Sequence, residues 1–159
     1  MLQTKKITAL VESPKGFNQK FDFDPAENRF RLSKVLPAGL VFPFDFGMIP
    51  GTRGEDGDPL DIIIISESGT FPGCLVDCRV VGAFRAEQTE RDGRTVRNDR
   101  FIGVPEVSQL FSEVHTLEQL PEATLNQLAA FFKNYNEQAG KVFEVTARLN
   151  AEEAAALLP

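Results

Sequence analysis

Three aspartates crowd into one short stretch of this chain, Asp56-Gly57-Asp58-Pro59-Leu60-Asp61, with Glu55 just before them. Carboxylates this close repel one another, so the spacing asks either for a bound cation or for full solvation. In an extended or turning segment, residues two apart face the same side. Pro59 fixes its own φ and biases Asp58 towards extended geometry, while Gly57 permits a tight approach. The cluster runs directly into Ile62–Ile65, an apolar run that reads as a strand buried on both faces and would hold the aspartates rigidly. An oxygen-only donor set suits a hard ion such as Mg²⁺. Two readings stay open on the residues alone: a metal site, and an acidic surface turn of ordinary Asp-Gly-Asp-Pro chemistry. An EF-hand is excluded. Counted from Asp56, Ile64 falls at the ninth ligand position, where it has no side-chain oxygen, and the sixth position is Asp61, where that loop needs glycine.

The rest of the composition narrows what the cluster could serve. At 159 residues the chain fits one domain, residues 1–159, with enough length to bury a core. Fourteen Phe against one Tyr and no Trp place most aromatic mass in that core. The net charge of −6, with no basic run, argues against a nucleic-acid partner, which needs a cationic surface. No segment approaches the ~20 apolar residues of a membrane span, and the polar stretch Met1 to Lys6 lacks the apolar core of a signal peptide. Cys74 and Cys78 are the only cysteines and make neither a disulfide framework nor a zinc site, which suits packing in a reducing cytoplasm. His115 is the only histidine, with no Ser or Cys nucleophile evidently placed against it, so a triad hydrolase is not expected.

Strands come first and helices late. Ile7, Ala9 and Val11 alternate with polar neighbours, as do Phe21 and Phe23; a turn at Asp24–Asn28 leads back through Phe30 and Leu32. Leu40 to Phe42 reads as a short strand stopped by Pro43, and Leu75 to Phe84 and Phe101 to Val104 supply two more. Leu125, Leu128, Phe132 and Tyr135 share one face of a helix from about Glu122 to Gln138, with Gly140 as terminator. Val142 to Leu149 is a last strand, and Asn150 with Glu153 forms a capping box that opens a short Ala-rich helix. The order predicts an α+β fold around a β-barrel or curled sheet.

The stretch from Phe42-Pro43-Phe44-Asp45-Phe46-Gly47-Met48-Ile49-Pro50 through Asp56-Gly57-Asp58-Pro59-Leu60-Asp61 closely resembles the soluble, family I inorganic pyrophosphatases. There, a Tyr-Pro-x-x-Tyr-Gly-x-Ile-Pro-like segment leads into Asp-Gly-Asp-Pro-x-Asp. Weaker agreement extends from Val11 to about Ala154. The resemblance implies a five-stranded OB-like barrel with flanking helices and Mg²⁺-dependent hydrolysis of pyrophosphate. It also implies a homo-oligomer, commonly a hexamer among bacterial members. Metal ions are what such a reaction needs, since the substrate is highly charged and water is a poor nucleophile. Carried over, Asp56 and Asp61 are metal ligands and Asp58 the general base. Glu12 stands behind the ligands, Asp22 reaches towards an outer metal, and Lys20 and Tyr135 bind phosphate.

Several positions depart from the family pattern. Lys34 replaces an Arg, keeping the charge but losing a two-pronged contact. Phe46 and Phe42 replace Tyr, and Asn136 replaces a Lys after Tyr135. In the segment 87–100, an ungapped match puts Asn98 at a metal-ligand position and Arg100 at that of a phosphate-facing lysine. Asn98 can ligate through its carbonyl but brings no charge. A bulge would present Asp99 instead, and Asp92, in Arg91-Asp92-Gly93, is the candidate for the remaining ligand; a solvated charged hairpin is the bland reading of the whole segment. Two functions therefore stay open: a working pyrophosphatase, and a divergent relative that binds metal or phosphate with weak or no turnover.

Overall fold

The structure is a computed structural model that describes residues 4–159; Met1–Gln3, part of the polar N-terminal stretch, lie outside the described residues. The elements follow in the order β1 (Lys6–Ser13), β2 (Gln19–Asp24), β3 (Arg29–Val35), β4 (Asp45–Ile49), β5 (Leu60–Ile64), β6 (Leu75–Thr89), β7 (Thr95–Arg97), β8 (Arg100–Pro105), a 3-10 turn at Leu117–Gln119, α1 (Glu122–Gln138), β9 (Val142–Leu149) and α2 (Ala151–Ala156).

Strands β1, β4, β5, β8 and β6 pair in that order, and β6 pairs back onto β1, so five strands close a ring. This is the expected OB-like barrel, flanked by α1 and α2. Only β5–β8 is parallel within the ring. The 15-residue β6 serves twice: its first part completes the barrel, and its second part carries β7 and β9 on its two edges. A separate hairpin, β2–β3, docks beside β1, where Phe21 N–H donates to Ser13 Oγ (3.0 Å) and Phe23 N–H to the Glu12 carboxylate (2.8 Å).

Two-sided burial of β5 follows from its unbroken isoleucines. Ile62 and Ile64 point into the cluster with Val11, Val80 and Phe101, while Ile63 packs in the opposite cluster with Phe46, Phe84, Leu128 and Phe132. The predicted helix bounds hold for α1, whose Leu125, Leu128, Phe131 and Phe132 are buried, and Gly140 (φ +77°) ends it in the left-handed region where glycine is at ease. The capping box at Asn150 and Glu153 is formed.

One expected strand is absent. Leu40 to Phe42 is a loop between two prolines, Pro37 and Pro43, and its main chain bonds to another loop: Phe42 N–H donates to Phe17 O (3.0 Å) and Gly16 N–H to Phe42 O (2.8 Å). The strand lies instead at β4, whose glycine weakens the strand signal. That glycine is required: a Cβ at Gly47 would collide with the Leu10 carbonyl oxygen of β1. Phe42 is buried in this loop, against Phe46, Phe131 and Tyr135. No helix among the described residues is long and apolar enough to cross a membrane.

Candidate active site

The aspartate turn joins β4 to β5 and is braced by its own main chain. Gly57 adopts φ +90°, its N–H donates to Gly54 O (3.0 Å), and Gly54 N–H donates to Asp58 O (2.7 Å). Asp56 Oδ1 accepts from Asp58 N–H (3.0 Å), so the loop is fixed by one aspartate oxygen while the Asp58 carboxylate stays uncommitted. Asp61 is the second residue of β5, in register with Met48 of β4 and Arg100 of β8.

Asp56, Asp58 and Asp61 line one wall of a cleft of about 650 Å³ that also takes in Glu12, Asp22, Lys20 and Lys34 from β1 and the β2–β3 hairpin, and Tyr135 and Asn136 from α1. Lys20 and Lys34 are paired directly across the hairpin; Lys20 Nζ bonds Asp22 at 3.1 Å, and Lys34 Nζ lies 5.5 Å from the centre of the Tyr135 ring. The Tyr135 hydroxyl is buried with no hydrogen-bond partner. Asn136 is turned back into its own helix, donating from Nδ2 to Phe132 O at 2.8 Å.

The opposite wall comes from the β6–β7 hairpin and the start of β8. Asn98 Nδ2 donates to Gln88 Oε1 (3.0 Å), Gln88 Nε2 donates to Glu90 Oε1 (3.0 Å), and Glu90 pairs with Lys141 (3.0 Å). Arg100 Nη1 bonds both Asp61 Oδ2 (2.6 Å) and Asn98 Oδ1 (2.7 Å). Arg94 completes the lining. Of the residues expected to form the site, Asp92 and the alternative Asp99 fall outside the cleft, and Asp92 is the farther from its expected role. It lies exposed at the hairpin tip, where Oδ1 accepts Arg94 N–H at 2.9 Å and caps the turn. Asp99 bonds Arg97 and the main-chain N–H of Ala86.

Gln88, Glu90, Arg94 and Lys141 were not singled out from sequence. Their signal is weak: amides and isolated charges carry no periodicity, and Lys141 reaches the cleft only because β9 runs beside β6.

The electrostatics of the two walls differ. Burial raises the Glu12 carboxyl to about 7, helped by Asp22 and Asp61. Burial also raises Asp61, against the pull of Arg100 and with a push from Asp56. Asp58 is raised by partial enclosure and then by Asp56 and Asp22. Lys34 is lowered, first by desolvation and then by Lys20 and Lys141. On the side of the turn and the β2–β3 hairpin, like charges have thus been gathered without enough protein counter-charge to relax them, whereas Glu90 on the hairpin wall is lowered by its bond to Lys141. Uncompensated charge of the first kind marks functional clefts.

The fold has counterparts among known proteins. The family model of inorganic pyrophosphatase matches residues 9–158. The chain belongs to the inorganic pyrophosphatase family. It is 36% identical to the inorganic pyrophosphatase of Geobacillus stearothermophilus over 157 residues, covering 98% of this chain and 92% of that one. Among solved structures, inorganic pyrophosphatase from Thermus thermophilus superposes with a TM-score of 0.86 at 29% identity, covering 98% and 91% of the two chains. That from Helicobacter pylori gives a TM-score of 0.88 at 25% identity, covering 99% and 94%.

In this member of the family, the donors available to a metal ion are carboxylate oxygens of Asp56, Asp58 and Asp61. Among the described residues, no three carboxylate, imidazole or thiol groups converge into a ready-made cage. That arrangement fits a Mg²⁺-type ion, which takes one or two carboxylates and fills its octahedron with water and substrate phosphate oxygens. The uncommitted Asp58 carboxylate and the upward push of burial on Asp61, which a bound cation would relieve, fit the same ion.

Proposed function

We propose that this chain hydrolyses inorganic pyrophosphate to two phosphates with Mg²⁺, with water as nucleophile. The observation that carries this is the gathering of Asp56, Asp58 and Asp61 with Lys20, Lys34 and Tyr135 in the lining of a single cleft. Bound Mg²⁺ would offset substrate charge and lower the pKa of the attacking water. Asp56 and Asp61 hold the metal; Asp58, free of hydrogen-bond obligations through its carboxylate, accepts the proton of the attacking water. Lys20, Lys34 and Arg100 present positive charge to the phosphates, and the unpartnered Tyr135 hydroxyl donates to a phosphate oxygen. Glu12 and Asp22 act behind them: Glu12 fixes the β2–β3 hairpin through Phe23 N–H, and Asp22 orients Lys20. Asn98 offers a neutral oxygen at most.

The second reading, metal or phosphate binding with weak turnover, is favoured by one specific feature. The hairpin wall presents the amides Gln88 and Asn98 bonded to each other, and Asn136 is tied to its own helix. Phosphate release from pyrophosphate by the purified protein, with Mg²⁺ and after chelation, separates the two, with Asp58→Asn as control. Hydrolysis by the wild type well above the variant supports the enzyme. Equal, slow release from both leaves only the binding protein. A homo-oligomer, hexameric in the manner of the family's bacterial members, and a reducing cytoplasm complete the proposal; the free thiols of Cys74 and Cys78 suit the latter.

A further inference from the structure

Arg100 is the most enclosed charge of the cleft, 5% exposed. Its guanidinium carbon lies 5.7, 5.2 and 5.0 Å from the ring centres of Phe46, Phe132 and Phe143, drawn from β4, α1 and β9. Three ring faces stabilise a cation without offering it water. One nitrogen, Nη1, reaches both Asp61 Oδ2 (2.6 Å) and Asn98 Oδ1 (2.7 Å), while Nε is buried with no partner. The charge cannot leave, because a guanidinium does not give up its proton in a protein, and its weak hydration makes burial tolerable where an ammonium would resist it.

The surroundings of Asn98 explain why a cation was fixed there. From Asp61 the hydrogen bonds run through Arg100, Asn98, Gln88 and Glu90 to Lys141. Only the carboxylates of Asp61 and Glu90 in that chain are negative, and each already faces its own cation. The hairpin wall therefore has no uncompensated carboxylate with which to hold a divalent ion.

We propose that Arg100 is a built-in cation, taking at Asp61 Oδ2 and Asn98 Oδ1 the place of one exchangeable divalent ion. The ions that do exchange are then confined to the side of Asp56, Asp58 and the second oxygen of Asp61. This rests on the metal reading given above, and it makes the chain need fewer free metal ions than a cleft with carboxylates on both walls.

Side-chain ¹⁵N spectra of arginine in the unaltered protein test the inference directly. At saturating Mg²⁺ the Arg100 Nη signals should stay split and unshifted, as expected of a guanidinium still locked on Asp61 and Asn98. Collapse to the averaged signal of solvent-exposed arginines would overturn the proposal. Arg100→Met, which keeps the ring cage filled with a side chain that packs well on aromatics, supplies a second readout. Counting bound Mn²⁺ by electron paramagnetic resonance, without pyrophosphate, should show one further ion per chain in the variant. No gain would overturn the inference while leaving metal binding intact. A wild type that binds no Mn²⁺ sinks the metal reading instead, and a gain in the variant would still uphold the role of Arg100.

Discussion

The aspartate turn and the β6–β7 hairpin face each other across one cleft, yet they treat charge in opposite ways. On the turn, Asp56, Asp58 and Asp61 line the same cleft, and enclosure pushes Asp58 and Asp61 towards protonation, for Asp61 against the pull of Arg100. On the hairpin, Glu90 has Lys141, and Gln88 and Asn98 bond to each other as neutral amides. Enclosure is common to both walls, so enclosure alone does not mark a metal ligand. A carboxylate oxygen left without a protein partner does. Among the described residues, both oxygens of Asp58 and one each of Asp56 and Asp61 are left so, whereas both oxygens of Glu90 are taken by Gln88 and Lys141. Only an unsatisfied oxygen gains enough from a cation to offset stripping water from it.

The comparison breaks most visibly at Asp58. Replacing it with Asn removes the proposed proton acceptor while keeping shape, and kcat for pyrophosphate should fall roughly 10²- to 10⁴-fold, the range of a positioned general base. A fall of less than about fivefold would mean that the turn binds without catalysing. Giving the hairpin what it lacks sharpens the contrast from the other side. The double change Gln88→Glu and Asn98→Asp should tighten Mn²⁺ binding in calorimetry about tenfold, corresponding to about 1.4 kcal/mol, with charges acting over a few ångströms at an effective dielectric near 20. Unchanged affinity would show that this wall does not face the metal.

Smaller still is the effect expected at the floor of the cleft. Tyr135→Phe deletes one hydroxyl and leaves its stack on Phe131 and its tilted contact with Phe42. The loss of one hydrogen bond, about 0.5–1.5 kcal/mol, should raise KM about two- to twelvefold with kcat nearly unchanged. An equal fall in kcat would assign the hydroxyl to the transition state instead.

These differences also explain what could be read from sequence. The turn wall was legible because its carboxylates are contiguous and lead into Ile62–Ile64, whose run dictates a doubly buried strand. Helix α1 was legible because Leu125, Leu128 and Phe132 keep helical spacing, and α2 because its capping box is local. On the hairpin wall only Asn98 and Arg100 could be named from sequence, through the family resemblance; Gln88, Glu90 and Lys141 escape because they join the wall by pairing rather than by pattern. Asp92 was the ligand candidate that the family resemblance implied for this segment. Like Asp56 it accepts an N–H of its own turn, and what separates the two is place, since Asp92 sits exposed at the hairpin tip and Asp56 lines the cleft. Leu40–Phe42 looked like a strand by apolarity, whereas flanking prolines and bonds to Gly16 and Phe17 make it a loop that anchors Phe42.

Two glutamates with opposite surroundings extend the comparison to stability, in metal-free protein. Glu12 is 9% exposed and raised to about 7, chiefly by burial. The native state then holds its proton more tightly than the unfolded chain, so folding loses stability as pH rises from about 4.5 to 7. Glu12→Gln, whose amide oxygen can still accept Phe23 N–H, should remove that loss and raise Tm above pH 7 while leaving it little changed near pH 4. Glu67 is the reverse case and lies outside the cleft. Its carboxylate accepts from Ser108 Oγ (2.5 Å), Gln109 N–H (2.8 Å) and Leu110 N–H (3.1 Å), and the Ser108 hydroxyl and the main-chain donors lower it to about 2. Here the unfolded chain binds the proton more readily, so the contribution is complete above about 4.5 and drains away as pH falls towards 2. Glu67→Gln should lower Tm slightly at pH 7 and converge with the wild type in acid, a modest effect because the group is exposed. Thermal melts of both variants between pH 3 and 8 check the signs together. If the two profiles shifted the same way, partner supply would not be what separates carboxylates that await a cation from those that already hold their donors.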